Sequence, residues 1–221
     1  MNYCVQLIES IPYSLTEGLT INITETWMIY LIIITFLVYF AYKEAKYLHI
    51  ALSCTLLLVS YQLYQGVTQS HQSKFVVYHV PKTTAFEFID GHSSFLVADS
   101  SLIQDNEKMK FYIKHHWWEV GATNNQLIDG NESVSTKVKK YGIGFFQHNN
   151  KSVAVVTNQS GVHASPLLVD YLIISKIKYL NLEKLTQDYE FKTLIFDSSN
   201  PKWITDKWKQ QALKMNLNVH S

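Results

Sequence analysis

The residues best suited to chemistry in this chain are its nine histidines and a few aspartates. His115 and His116 are adjacent in a predicted helix, so their side chains diverge by about 100°. A metal held by two histidines of one helix needs i, i+4 spacing. His116 shares the apolar face of that helix, so its favoured role is that of a core or boundary histidine that forms a hydrogen bond. Four other histidines show no ligand spacing: His79, His92, His148 and His163. The sequence therefore predicts no metal ligands and no cofactor.

Two aspartates follow apolar strands and are each followed by two serines. These segments are Asp99-Ser100-Ser101 and Asp197-Ser198-Ser199. Acidic residues at strand ends carry function in many α/β proteins, but they also form turns and cap helices. The second role is favoured here, as it is for Asp90 in an Asp-Gly turn. Phosphate-binding glycine loops, G-x-S-x-G elbows and paired-carboxylate motifs are absent from the sequence. We assign no catalytic residue.

The elements that position these residues begin with a β-rich half. Segment 74–80 alternates like a strand, and segments 85–89 and 93–99 flank Asp90-Gly91-His92, a strong hairpin signal. Asp105 is expected to cap a helix that runs to Val120, with one apolar face formed by Met109, Ile113, Trp117 and Val120. Residues 121–136 are expected to be loop, and 141–147 and 152–158 a second hairpin. The first three strands predict an antiparallel meander.

Strand–helix alternation follows in the last third of the chain. Strands are predicted at 170–175, 192–197 and 217–220, with helices at 181–189, capped by Asn181, and from Pro201 to about Met215, capped by Asn200. Two βα units in succession imply parallel pairing and strands buried on both faces. The predicted fold class is α+β, in layers, and the chain ends within its last predicted strand.

Two uncharged apolar runs near the start predict a transmembrane helical hairpin. Segments 26–42 and 47–64 are each long enough to cross a bilayer, and aromatic residues cluster at their ends. The loop between them carries Lys43 and Lys46, whereas residues 1–25 contain no lysine, which predicts a cytoplasmic loop and an outward-facing domain. Residues 1–24 resemble a short interfacial amphipathic segment broken at Pro12, and 66–73 a polar linker.

Composition narrows the function classes further. All 19 basic residues are lysine, so bidentate arginine forks are missing. After residue 64 there are 17 lysines against 14 acidic residues, which is not the footprint of a dedicated nucleic-acid binder. Cys4 and Cys54 are the two cysteines. Because Cys54 lies within the second span, no disulfide is predicted, and the outer domain must rely on its hydrophobic core.

ESIPY before a helical hairpin, together with the three longer stretches quoted below, resembles the C-terminal part of ComEC-type competence proteins in the form found in Bacteroidetes-like bacteria. KFVVYHVPKTTAFEFIDGHSSFLVAD resembles the opening strands of that family's metallo-β-lactamase-like domain. VDYLIIS followed by NLEKL, and the final LIFDSSNPKWITDKWKQQALKMNLNVHS, resemble its later βα units. The resemblance implies an αββα-like metallo-β-lactamase-like domain over residues 74–221, incomplete at its C-terminus.

This resemblance implies a multi-pass protein of the bacterial inner membrane that passes single-stranded DNA during natural transformation, with its soluble domain in the periplasm. Its implied partners are the lipid bilayer, single-stranded DNA, other competence proteins and the rest of the channel, if the chain is a fragment. Many relatives carry a zinc nuclease cluster, H-x-H-x-D-H. This chain reads DNEKMKFYIKHHWWEVG instead, which implies a non-catalytic domain.

Two alternatives remain open at this point. The first is a membrane-anchored, metal-dependent hydrolase or nuclease with a non-standard site around Asp99, Asp197 and the histidines. The second is a membrane-tethered interaction domain that has no role in DNA transport. Metal content separates the first alternative from the resemblance, and the salt dependence of nucleic-acid binding separates the second.

Overall fold

The computed structural model of the protein describes residues 21–129, 138–141, 144–157 and 166–220. Most of the predicted interfacial segment 1–24 and His163 lie outside these residues. The described chain divides into two compact units, which we treat separately: residues 1–72 with 117–121, and residues 73–116 with 122–221.

The first unit contains two long apolar helices, α1 (Ile23–Tyr42) and α2 (Ala45–Ser70). Both are long and apolar enough to cross a membrane, judged by length and composition. Glu25 and Asn22 form a capping box at the start of α1. Because α2 continues to Ser70, most of the predicted linker 66–73 is helical. The hydroxyls of Thr68 and Ser70 donate to carbonyls of the preceding turn, which suits these polar residues to helix.

The second unit contains two sheets and several helices. In chain order the elements are β1 (Ser73–Val77), β2 (Ala85–Asp90), β3 (Ser93–Ala98), α3 (Ser100–Ile103), α4 (Asn106–Lys108), a π-helical segment (Met109–Lys114), α5 (His115–Val120, which extends into the first unit), β4 (Asn124–Asp129), β5 (Val138–Tyr141), β6 (Phe145–His148), β7 (Lys151–Val156), β8 (Leu167–Ile174), α6 (Leu182–Asp188), β9 (Tyr189–Phe196), α7 (Lys202–Lys214) and β10 (Val219–His220).

The first sheet has the order β1-β2-β3-β4. The predicted antiparallel meander β1-β2-β3 is confirmed. Its hairpin turns at Gly91 and His92, because Asp90 still pairs with Ser93 and Gly91 adopts a φ of 57°. The predicted loop 121–136 is wrong in part, since β4 pairs parallel to β3. β4 is an edge strand with exposed polar residues, which explains its weak strand signal.

The second sheet has the order β10-β9-β8-β7-β6-β5. β7, β8, β9 and β10 pair in parallel, which confirms the βα prediction, and β6 pairs antiparallel with β7 across Asn149 and Asn150. The predicted strand 141–147 is two strands, because Tyr141 ends β5 and Gly144, with a φ of 84°, precedes β6. Residues 142, 143 and 158 lie outside the described part of the chain.

The two sheets pack face to face around an aromatic core. Phe86, Phe88 and Phe95 from the first sheet meet Phe146 and Ile173 from the second. On the far side of the second sheet, α6 and α7 cover Leu172, Leu194 and Phe196, with the ring of Trp208 in α7 tilted against that of Phe196 at a centroid distance of 5.7 Å. Burial of this apolar surface is the main stabilising contribution to such a sandwich.

The outer face of the first sheet carries a buried acidic residue, Glu87, beside Tyr78 and a helical histidine. Glu87 alternates with Phe86 and Phe88, so it points away from the sandwich core. The Tyr78 hydroxyl donates to Glu87, and the His116 ring lies 5.8 Å from Tyr78. The second unit is therefore a mixed α/β domain of two packed sheets, with α6 and α7 against the outer face of the second sheet.

The predicted helix 105–120 exists but is not a regular α-helix. Asp105 caps it as expected, because its carboxylate accepts a hydrogen bond from the Lys108 amide at 3.1 Å. The predicted apolar face is confirmed as buried, at Met109, Ile113, Trp117 and Val120. Between Met109 and Lys114 the turns widen to π-helix. The sequence pattern does not distinguish this insertion from an α-helix of the same apolar spacing.

Candidate functional site

Polar residues from both sheets meet where several strands begin or end. Ser175 and Asp197 follow the parallel strands β8 and β9, so they lie side by side. Asp99 follows β3 and Thr84 precedes its antiparallel neighbour β2, so these two also lie together. The carboxyl ends of parallel strands are a common location of ligand sites in α/β proteins. This edge is therefore the candidate functional site.

Thr84 connects the aspartates of the two sheets. Its backbone amide donates to Asp99 at 2.9 Å, and its hydroxyl donates to Asp197 at 2.7 Å. The same hydroxyl contacts the Ser175 hydroxyl. Thr84 and Ser175 are buried, so these bonds are shielded from water and are correspondingly strong.

Asp197 is only 4% exposed and is surrounded by donors. One carboxylate oxygen accepts from Thr84, and the other accepts from the Ser199 amide at 3.2 Å, the Ser199 hydroxyl and the Asn200 side chain at 3.2 Å. Burial raises the pKa of Asp197, and the hydrogen bonds from Ser199 and Thr84 oppose that shift. Both carboxylate oxygens are occupied by donors of the chain itself.

Asn200 holds the end of β9 against the end of β8. Its side-chain amide donates to the Ile174 carbonyl at 2.8 Å, and its side-chain oxygen accepts from the Ile177 amide at 2.9 Å. The prediction that Asn200 caps the following helix is therefore wrong. Pro201 is the cap residue, and α7 begins at Lys202. The Asn200 side chain is used in the tertiary network, which local sequence patterns do not reveal.

An ion pair lies beside this network. The Lys176 ammonium is 2.7 Å from the Asp99 carboxylate, which also accepts the Thr84 amide. Lys176 has a φ of 52°, a left-handed conformation that is costly for a residue with a Cβ. Its amide donates to the Ser199 hydroxyl at 2.8 Å, which helps to fix that conformation.

A cavity of about 340 Å³ adjoins Asp197. It is lined by side chains of mixed charge, with both acids and bases at its wall: His79, Pro81, Phe196, Asp197, Ser198, Asn200, Lys202, Thr205 and Asp206. This volume lies at the lower end of the range of small-molecule sites. Its position at the end of β9 makes it part of the candidate site.

Of the histidines that the structure describes, His79 lines the cavity of this site, whereas His92, His115, His116 and His148 lie elsewhere. His92 is at the hairpin turn, at the opposite end of β3 from Asp99. His148 is buried between Phe88 and Phe95, with its ring nitrogen 3.9 Å from Asp90. His115 is exposed and His116 is half-buried against Tyr78. Of the residues considered for a non-standard hydrolase site, the described part of the chain brings Asp99 and Asp197 together through Thr84 but does not add a set of histidines to them.

The zinc of catalytic relatives does not fit the described residues. None of the described residues forms a group of three or more His, Cys, Asp or Glu side chains that could hold a metal ion. Asp99 faces the ammonium of Lys176, and Asp197 accepts hydrogen bonds on both oxygens. A divalent ion would have to displace these groups to reach either carboxylate.

Sequence reasoning identified the two aspartates but missed the residues that connect them: Thr84, Ser175, Lys176 and the side-chain role of Asn200. Only the Ser-Ser-Asn run after Asp197 carried a signal, as a polar turn. Thr84 and Ser175 are distant in the chain and meet because two sheets pack together. No local pattern could have paired them.

One comparison with known proteins is informative. The family model described as ComEC C-terminal domain matches residues 75–221. Neither a curated protein nor a solved structure matches the chain significantly. The match begins within β1 and covers the layered unit to its end. The chain therefore belongs to the ComEC C-terminal domain family, whose members are membrane-associated proteins of competence DNA uptake.

Proposed function

We propose that this chain is part of an inner-membrane competence channel that takes up single-stranded DNA, and that its second unit is a degenerate, non-catalytic metallo-β-lactamase-like domain of the Bacteroidetes type. Family membership and the two long apolar helices support the channel assignment. Two sheets packed face to face, with α6 and α7 on the outer face of the second, support the domain assignment.

The hydrogen bonds of the buried Asp197 carboxylate are the main observation behind the proposal that the domain does not cleave its substrate. A metal-dependent hydrolase needs carboxylates and histidines with free lone pairs that converge on one ion. Here the buried carboxylate is bound to Thr84, Ser199 and Asn200, and Lys176 neutralises its neighbour Asp99. These side chains hold the two sheets together, so they support a structural role for the former site.

We further propose that α1 and α2 cross the membrane with the loop at Lys43 and Lys46 in the cytoplasm, which leaves the second unit in the periplasm. The charge asymmetry between this loop and the lysine-free residues before it supports that orientation. β1 begins three residues after α2 ends. The second unit thus follows the second proposed span directly in the sequence.

Metal and nuclease measurements on the full chain in detergent test the non-catalytic proposal. We expect substoichiometric zinc and manganese after purification, and no cleavage of labelled single- or double-stranded DNA when either metal is added. Stoichiometric metal together with cleavage that is lost in Asp197→Ala would overturn the proposal and favour the hydrolase alternative.

Deletion of the gene in a naturally transformable host tests the transport proposal. Fluorescent DNA is expected to stay outside the cytoplasm in the deletion strain and to enter again when the chain is restored. The Asp197→Asn chain, which keeps the size of the side chain but not its charge, serves as the matched variant. Unchanged cytoplasmic uptake after deletion would contradict the transport role.

A further inference from the structure

Two aromatic side chains on segments that adjoin the candidate site are largely exposed. Tyr179, in the loop after β8, is 93% exposed, and Trp203, in the first turn of α7, is 74% exposed. Large rings are usually buried to a much greater degree because exposure of their apolar area is unfavourable. The two rings follow Lys176 and Asn200, residues of the candidate site, by three positions each, and their exposure calls for an explanation by binding.

The two rings are carried by segments that are fastened to each other. The Lys176 amide donates to the Ser199 hydroxyl, and the Ile177 amide donates to the Asn200 side chain. Tyr179 follows the first segment by two residues, and Trp203 follows the second by three. The network that occupies Asp197 therefore also fixes the backbones from which the two rings project.

The same segments carry a local positive charge. Residues 176–184 and 202–209 contain six lysines and two acidic residues, whereas the whole chain has a net charge of only +1. Lys176 is neutralised by Asp99, but Lys178 and Lys202 flank the two rings and are exposed. A polyanion is the partner that this charge complements.

We propose that Tyr179 and Trp203 stack on bases of a single-stranded nucleic acid while Lys178 and Lys202 contact its phosphates. Exposed rings set among lysines are the elements of sequence-tolerant single-strand binding. A lipid surface is the weaker match, because the aliphatic neighbours Ile177 and Ile204 are buried or half-buried and are therefore little available for insertion into a membrane. The inference rests on the proposed function for the source of the strand, and deepens it by naming the surface and the contact type.

Anisotropy of a fluorescein-labelled oligo-dT of about 15 nucleotides, a length suited to one binding site, measures this contact with the full chain in detergent micelles. Tyr179→Ala and Trp203→Ala are each expected to weaken binding about tenfold. Phe111→Ala is the matched control, because Phe111 is 75% exposed and lies between Lys110 and Lys114 in another layer. It is expected to change binding less than about twofold if stacking is confined to the proposed surface.

Salt titration and an abasic strand separate stacking from charge. Lys178→Gln and Lys202→Gln are each expected to reduce the slope of log affinity against log salt by about 0.7, the value for one phosphate of a single strand. An abasic oligonucleotide is expected to bind the wild-type chain weakly and to make the Tyr179→Ala and Trp203→Ala losses disappear.

Three outcomes of the binding measurements would overturn the inference. The first is wild-type affinity in Tyr179→Ala and Trp203→Ala. The second is an equal loss in Phe111→Ala. The third is a selective loss of binding to phosphatidylglycerol vesicles, which would assign the rings to a membrane surface.

The uptake assay distinguishes a failure of this inference from a failure of the proposed function. Normal uptake by the two aromatic variants would reject the surface alone, whereas normal uptake after gene deletion would reject the transport role and leave the binding result intact.

Discussion

The Thr84 hydroxyl lies 2.7 Å from the Asp197 carboxylate and joins the first sheet to the second. The Thr84 amide holds Asp99 at 2.9 Å, so one buried threonine connects both aspartates that follow strands. The sequence presents these aspartates as candidates for chemistry or for turns. Their positions in the structure show a third role, which is the attachment of one sheet to the other.

Replacement of Thr84 by valine is expected to lower the free energy of unfolding by about 1–3 kcal/mol, because a buried carboxylate loses a hydrogen-bond donor. Denaturant unfolding of the full chain in micelles, followed by near-ultraviolet circular dichroism, measures the change. Thr205→Val is the control. Thr205 is equally buried, at 7% exposure for Thr205 and for Thr84, but its hydroxyl donates only to a carbonyl of its own helix. A loss of the same size in both variants would contradict the bridging role.

The raised pKa of Asp197 predicts a specific pH dependence. Because the folded-state pKa is above the ordinary value, the folded chain binds the proton more tightly than the unfolded chain. This contribution to stability is fully present below the unfolded-state pKa, at about pH 4, and is lost as pH rises through the folded-state pKa.

Asp197→Asn removes the titrating group. It should therefore remove the loss of stability that the titration of Asp197 causes as pH rises. The measurement is the difference in unfolding free energy between wild type and variant from pH 4 upward, which cancels the titration of other groups. The difference is expected to change in favour of the variant as pH rises. A difference that is constant with pH would show that Asp197 does not titrate with a raised pKa.

Much of the second unit could be predicted from its sequence, because its strands and helices have strong local signals. The hairpin at Gly91, the cap at Asp105 and the parallel βα units depend on turn chemistry, capping and apolar periodicity, all of which are local. β4 was missed because an edge strand needs no alternating apolar residues. The helical continuation of α2 to Ser70 was missed because polar residues remain compatible with helix beyond an apolar run.

The candidate site could be predicted only in part, for a physical reason. Asp99 and Asp197 were visible as acidic residues at strand ends, but Thr84, Ser175 and Lys176 acquire their roles from the packing of two sheets. Such contacts between distant parts of the chain leave no spacing pattern in the sequence. The left-handed conformation of Lys176 also carries no signal, since glycine and not lysine is the residue typical of it.

Lys176 therefore offers a comparison of two substitutions that both remove its ion pair with Asp99. Glycine accommodates the φ of 52° without strain, whereas alanine does not. We expect Lys176→Gly to be more stable than Lys176→Ala by about 1 kcal/mol, the lower end of the left-handed penalty for a residue with a Cβ.

Thermal unfolding of the two Lys176 variants in micelles measures this difference. The ion pair itself is half exposed, with side-chain exposures of 50% and 25%, so its loss is expected to cost less than about 1 kcal/mol. Lys178→Gly and Lys178→Ala form the control pair, because Lys178 is not among the residues with positive φ. There the alanine variant is expected to be at least as stable as the glycine variant.

The buried pair of Tyr78 and Glu87 leads to the last prediction. Glu87 is fully buried on the outer face of the first sheet and accepts a hydrogen bond from the Tyr78 hydroxyl. Burial and the adjacent carboxylate raise the pKa of Tyr78, so the hydroxyl stays protonated and remains a donor at physiological pH. Tyr78→Phe is expected to lower the unfolding free energy by about 1.5–3 kcal/mol, the range for hydrogen bonds to charged groups.

A second substitution tests whether the loss comes from the carboxylate. In Tyr78→Phe combined with Glu87→Met, both polar partners are replaced by apolar groups of similar size, and such a pair can be nearly neutral. The double variant is therefore expected to recover part of the stability that Tyr78→Phe loses. Tyr179→Phe, on an exposed ring, is the control and is expected to stay within about 0.5 kcal/mol of wild type. If the double variant is less stable than Tyr78→Phe, the Tyr78 hydroxyl contributes through another contact and the pair does not act as a unit.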